Sequence, residues 1–271
     1  MNKHNETIDQ QLWPQLADEN WVEFLAYLGT SPLAESSFAD DLVWVITGVH
    51  DNTYNGVLRT RLADADADRA IFEALERFRM RKIPHLWCIE SDDQPADLAQ
   101  RLEAQGCKQL DAGVGMAADL LTLNEQINPV PGLVVKRVID EAGLASWFDA
   151  HPYFSEDDVP VEIRQSLYIS FGFGGDRPLR FYVAEISGQA VGGFGLFTGS
   201  RAAGIYDLNV VSHMQRQGIG TAMTLAALQE ARKLEYRIAV LGPTPESIKM
   251  YERLGFVLHR SVQVSYFLPL E

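Results

Sequence analysis

A chain of 271 residues is too long for one small core and fits two domains of roughly 100 to 150 residues each. Its 46% hydrophobic and 10% aromatic content is that of a soluble globular protein and argues against disorder. A net charge of -14 repels a phosphate backbone, so nucleic acid is disfavoured as a partner.

The acidity is uneven. Residues 1–128 carry 10 Lys/Arg against 22 Asp/Glu, whereas 129–271 carry 13 against 15, so the second half is close to neutral. There is no run of about 18 apolar residues, and residues 1–10 lack the charged-then-apolar plan of a signal peptide. A cytoplasmic protein without a membrane partner is expected. Cys88 and Cys107 show no CxxC spacing, which argues against a disulfide framework or a thiolate metal site and predicts reduced, buried thiols.

In chain order, residues 9–28 have helical periodicity with Trp13, Trp21 and Phe24. Residues 42–48 and 55–60 read as strands, 69–82 as a helix, 86–90 as a strand, 94–105 as a helix and 116–121 as a closing strand. The stretch NEQINPVPG at 124–132 breaks the apolar pattern with two prolines and a glycine, which places a domain boundary near residue 128. Residues 151–173 have helical and loop character. Strands follow at 181–186, 190–198 and 203–211, with Gly188 at the first turn.

Ile219, Met223, Ala226, Ala227 and Ala231 then recur at helical spacing, predicting a helix over 220–234. A short strand at 238–241 precedes a second helix, with Thr244 as its cap, Pro245 in its first turn and Gly255 as its stop. Residues 256–258 and 262–268 read as closing strands. The predicted class is α/β (α+β): two domains, 1–128 and 129–271, each a mixed, mostly antiparallel sheet flanked by helices.

The loop after the 203–211 strand carries the chemistry. Gln215-Arg216-Gln217-Gly218-Ile219-Gly220, leading into Thr221, opens a helix. Glycines there let the backbone approach a diphosphate, and the free N–H groups of a helix start point at it. Arg216 adds a charge-assisted contact. This segment resembles the pyrophosphate loop of the GCN5-related N-acetyltransferase (GNAT) superfamily. Residues 247–256, SIKMYERLGF, are similar to that superfamily's second signature, a helix ending in Tyr-x-x-x-Gly-Phe. Thr244 and Ser247 depart from the asparagine and alanine common there.

The resemblance implies acetyl transfer from acetyl-CoA, as co-substrate and without a metal, to a primary amine by direct attack in a ternary complex. It assigns Leu208, Val210 and Val211 as backbone donors to the thioester and pantetheine. Gln215, Arg216, Gln217, Gly218, Ile219, Gly220 and Thr221 fall on the diphosphate. Tyr251 matches the tyrosine that gives a proton to the CoA sulfur. Asp207, or Glu185 on a neighbouring strand, is the candidate base, and His213 reads as a solvated loop residue. Glu156, Asp157 and Asp158, beside His151, Tyr153 and Phe154, suggest a lip for a cationic small-molecule acceptor.

The first half echoes this order. Aligning Gly106 with Gly255 puts Leu102 where Tyr251 stands, and the segment 59–68 has no glycine and several acids. A degenerate GNAT-like copy without a cofactor loop is expected, as in tandem members of the superfamily. Two other readings compete: a non-catalytic acyl-CoA-binding regulatory module, and a Rossmann nucleotide binder, for which the chain lacks the GxGxxG. The acceptor, the acyl length and homo-oligomer formation are left open.

Overall fold

The computed structural model of the chain describes residues 8–155 and 160–269. The first part contains α1 (Trp13–Leu28), β1 (Glu35–Phe38), β2 (Leu42–Ile46), β3 (Asn55–Thr60), α2 (Ala67–Arg81), β4 (Leu86–Ile89), α3 (Leu98–Ala104), β5 (Lys108–Gln109) and β6 (Val114–Asp119). Next come β7 (Leu133–Arg137), α4 (Glu141–Asp149), α5 (Val161–Ser170), β8 (Leu179–Ile186), β9 (Gln189–Thr198) and β10 (Ala203–Val210). The chain ends with α6 (Ile219–Lys233), β11 (Ile238–Leu241), α7 (Ile248–Leu254), β12 (Val257–Arg260) and β13 (Val264–Phe267).

Strand pairing, not chain position, divides the molecule into two compact units. One sheet has the order β1-β2-β3-β4-β13-β5 and the other β12-β6-β11-β10-β9-β8-β7. A boundary at residue 128 therefore does not separate them. β6, from the first half, lies between β11 and β12, and β13, near the end of the chain, lies between β4 and β5. Burial explains the exchange. Met116 and Ala118 fill one apolar cluster and Ala117 another, all fully buried, while Tyr266 and Leu268 complete the core of the six-stranded unit. Full burial of a side chain the size of Met116 contributes about 1.5–3 kcal/mol, enough to decide which sheet a strand joins.

In the seven-stranded unit, the tight turn Ser187–Gly188, both residues at positive φ, joins β8 to β9. Side chains alternate across this sheet. Tyr182, Phe194, Leu196 and Ile205 pack with Met223, Ala227, Leu228 and Ala231 of α6. The opposite face receives α4, whose fully buried Trp147 donates from Nε1 to the Phe194 carbonyl at 3.2 Å and meets Phe181 edge-on. Asp140 caps α4 by accepting from Gly143 N at 2.8 Å.

The six-stranded unit packs Ile71, Ala74, Leu75 and Phe78 of α2, with Leu98 and Leu102 of α3, around Val57 and Trp87. The helix expected over 94–105 begins only at Leu98, after a Pro95–Asp97 turn. At the other helix reassigned by the structure, Thr244 and Pro245 lie in a turn before α7, and Ser247 takes the cap position.

Candidate active site

β10 and β11 pair in parallel only over Ala203–Ile205, so beyond Ile205 the two strands separate. On its other side β10 stays paired with β9, but the register shifts between Tyr206↔Gly195 and Asn209↔Gly193. Two residues, Asp207 and Leu208, thus oppose Phe194 alone, a bulge that leaves β10 bent. Asp207 takes φ 51°, a left-handed conformation that aspartate tolerates better than most residues. The bulge accounts for a carboxylate interrupting an apolar strand.

Val211 N donates to the Val191 carbonyl at 3.0 Å. In an antiparallel ladder alternate residues point their N–H groups to opposite sides, so that of Val210 faces away from β9, into the gap that β11 leaves. Gln215 closes the end of the strand by donating from Nε2 to the Val210 carbonyl at 3.0 Å. Of the three expected backbone donors, Val210 has the required direction, and Leu208 lies in the bulge, where the alternation breaks. Val211 lacks that direction, because the β9 ladder uses its N–H.

The loop continues through the 3-10 turn Ser212–Met214 into α6. Gly218, at φ 84°, occupies the N-cap, a conformation costly for a residue with a Cβ. Among the described residues no side chain caps this helix, and its first turn has no acid, so the N–H groups of the opening turn are left for an anion, with the helix dipole behind them. Arg216 is exposed, at φ 62°, beside them. A Cβ on Gly220 would lie 3.4 Å from Met250 Sδ and 3.7 Å from Val210 Cγ2, ordinary contact distances, so α7 and β10 pack close to this helix start.

That contact brings Tyr251, the neighbour of Met250, to the same end of the sheet. Its ring is buried and edge-on to Phe256, and burial pushes its pKa up to about 12, so the hydroxyl stays protonated at neutral pH. On the other face, His151 is fully buried, stacked on Trp147 with centroids 3.7 Å apart. Its Nδ1 lies 2.5 Å from the Trp147 carbonyl oxygen and its Nε2 2.6 Å from that of Asp207. Burial pushes its pKa down to about 4, outweighing the two carbonyls, which favour the protonated ring.

The equivalent place in the six-stranded unit is closed. Past Val57↔Trp87, β3 and the chain after β4 meet again at Arg61↔Gln94. Thr60 N donates to Asp93 Oδ1 at 2.8 Å, Gln94 N to the Thr60 carbonyl at 2.8 Å and Trp87 Nε1 to Thr60 Oγ1 at 3.0 Å. At the start of α2, Arg101 pairs with Asp64, with Asp68 at 3.0 Å and with Asp97 at 2.8 Å. Carboxylates stand where an anion would need donors.

Residues 143–256 match the sequence profile described as "Acetyltransferase (GNAT) family". The chain contains a GNAT acetyltransferase domain. Among solved structures, a GCN5-related N-acetyltransferase from Kribbella flavida is similar over 94% of this chain and 96% of its own, with a TM-score of 0.67 and 15% identity. A tandem GNAT protein from the clavulanic acid biosynthesis pathway covers 96% and 95%, with a TM-score of 0.56 and 16% identity. At such identities the likeness is one of fold: two mostly antiparallel sheets flanked by helices, as in tandem GNAT proteins. A search of curated proteins found no match.

Within the GNAT domain, Gln215, Arg216, Gln217, Gly218, Ile219, Gly220 and Thr221 all lie on the loop and first turn of α6, although Ile219 is buried in the core. Glu185 is held by Lys136 Nζ at 2.7 Å on the β7–β8 ladder, three strands from the gap, which weakens it as a base. His213 is exposed, as expected. The acceptor lip is not supported where it can be seen: His151 and Phe154 are buried, and Glu156, Asp157 and Asp158 lie outside the described residues. The sequence reading missed the link from His151 to the bulge and the pair Gly192–Gly193 opposite it. Adjacent glycines inside a strand were the available signal.

Proposed function

We propose that the seven-stranded unit transfers the acetyl group of acetyl-CoA to a primary amine by direct attack, and that the six-stranded unit is a degenerate copy that binds no CoA. The observation that carries this reading is the gap between β10 and β11, open beside an uncapped helix start, when the matching place in the other unit is stitched shut. The residues present fit an acyl-CoA. In this reading the Val210 N–H and the Leu208 N–H of the bulge serve the pantetheine and the thioester, and the N–H groups of residues 219–221 with Arg216 suit the diphosphate.

The chain's own groups then have simple tasks. When the amine nitrogen bonds to the thioester carbon, negative charge grows on the carbonyl oxygen, and the Leu208 N–H is placed to stabilise it. As the C–S bond breaks, Tyr251 gives its phenolic proton to the sulfur, so that CoA leaves as the thiol. Asp207, next to that N–H, is the carboxylate placed to take the amine proton, directly or through water. The acidity of residues 1–128 favours a cationic small-molecule acceptor. We place the protein in the cytoplasm, with no call for nucleic acid or membrane. A thiol-release assay with acetyl-CoA and a panel of amines tests the reading. Release that depends on both substrates supports it, and none with any amine refutes it.

A further inference from the structure

The link between α4 and the bulge is not explained by packing alone. The end of α4 touches β10 twice: His151 Nε2 lies 2.6 Å from the Asp207 carbonyl oxygen, and Asn209 Nδ2 donates to the Ala150 carbonyl at 2.6 Å. Both contacts fall inside the register shift. The opposing strand has no side chain at either of the two positions next to them. A Cβ on Gly193 would lie 2.7 Å from Trp147 Cδ1 and 2.9 Å from His151 Cε1, and one on Gly192 would lie 2.6 Å from the Asn209 carbonyl oxygen. Gly193 thus leaves room for Trp147 and His151, His151 reaches the Asp207–Leu208 peptide, and Asn209 ties the end of the bulge to α4.

That peptide is the one whose direction matters. The Asp207 carbonyl and the Leu208 N–H belong to the same planar trans unit, so they point in opposite directions. Fixing the carbonyl from the α4 side fixes the N–H on the side away from α4, and a carbonyl engaged in a hydrogen bond polarises its own N–H. We propose that His151 is a positioning residue: by gripping the Asp207 carbonyl it aims the Leu208 N–H at the thioester oxygen. This rests on the acyl-transfer reading above. A neutral ring has one N–H, here on Nε2, so Nδ1 only faces the Trp147 carbonyl oxygen, which takes its hydrogen bond from Ala150 N at 3.1 Å.

Three variants separate the two contacts. His151→Gln can place an amide N–H where Nε2 stands, His151→Asn can place one only where Nδ1 stands, and His151→Phe keeps the stacking on Trp147 alone. Each is checked for folding by thermal unfolding, then compared with the wild type for kcat, for KM of acetyl-CoA and for hydrogen exchange over residues 206–210. The expected result is that Asn and Phe lower kcat by about 10- to 100-fold, within the range set by a misaimed oxyanion donor, while KM moves less than about threefold. Exchange over 206–210 should quicken in those two, and Gln should restore both readouts. Wild-type rates in all three, rescue by Asn instead of Gln, or parallel losses of kcat, KM and melting temperature would each overturn the proposal. A wild-type chain that neither binds nor turns over acetyl-CoA would instead sink the transferase reading and this proposal with it, whereas an active wild type with indifferent variants sinks the proposal alone.

Discussion

Tyr251→Phe separates chemistry from packing. The ring is 6% exposed and its contact with Phe256 survives the change, while the hydroxyl makes no hydrogen bond among the described residues, so removing it strands no partner. Stability should therefore move by no more than about 0.5 kcal/mol. Catalysis loses its proton donor, a loss of roughly 10²- to 10⁴-fold in kcat, or about 3–5 kcal/mol of barrier. Acetyl-CoA affinity should change less than about threefold, under about 0.7 kcal/mol. Initial rates of thiol release at saturating substrates, calorimetric titration and thermal unfolding supply the three numbers. Since burial holds the wild-type hydroxyl at a pKa of about 12, its rate should not fall through ionisation of Tyr251 up to about pH 10. A kcat within twofold of wild type, or matching losses in binding and turnover, would refute the assignment.

Three further outcomes follow from the same structure. Gly218→Val should abolish acetyl-CoA binding by calorimetry at a cost of about 1–2 kcal/mol in stability, because a side chain must adopt φ 84° beside the diphosphate donors. Gly220→Leu should instead act by pressing on Met250 and Val210, so its melting temperature falls along with its affinity. Asp93→Ala leaves the N–H groups of Thr60 and Glu90 without their acceptor, which should cost about 2–4 kcal/mol in denaturant unfolding and leave acetyl-CoA affinity unchanged. His85 is buried, its Nε2 has no partner among the described residues, and burial pushes its pKa down to about 4. The unfolded chain then binds the extra proton between about pH 6.5 and 4, so this contribution is complete above pH 6.5 and fades on acidification by up to about 1.4 kcal/mol per pH unit. His85→Phe should reduce the difference in stability between pH 7.5 and 5, and an undiminished difference would exclude His85 as its source.

Local pattern was legible where local forces decide. The residues of β3 and β11 are those the apolar runs indicated, and the glycine loop stands at the start of α6 where helix periodicity begins. β1 and β5 were not legible: one is a polar edge strand, Glu35-Ser36-Ser37-Phe38, and the other has two residues. β7 is a five-residue edge strand, and α4 contains Gly143, which weakens its pattern although Asp140 marked its cap. The exchange of β6 and β13 is of another kind. Both segments read correctly as strands, but the choice of partner depends on which distant core completes itself around Met116 or Tyr266, and periodicity carries no such information. At the site, the loop and Tyr251 followed from motif and spacing, while His151 acts from 56 residues away through backbone carbonyls that leave no mark on composition.

Calorimetric titration of the intact chain with acetyl-CoA tests the central claim most directly. The account predicts saturable binding at one site per chain, lost in Gly218→Val and kept in Asp93→Ala. Two sites per chain would contradict the closure of the six-stranded unit, and no binding would contradict the account as a whole.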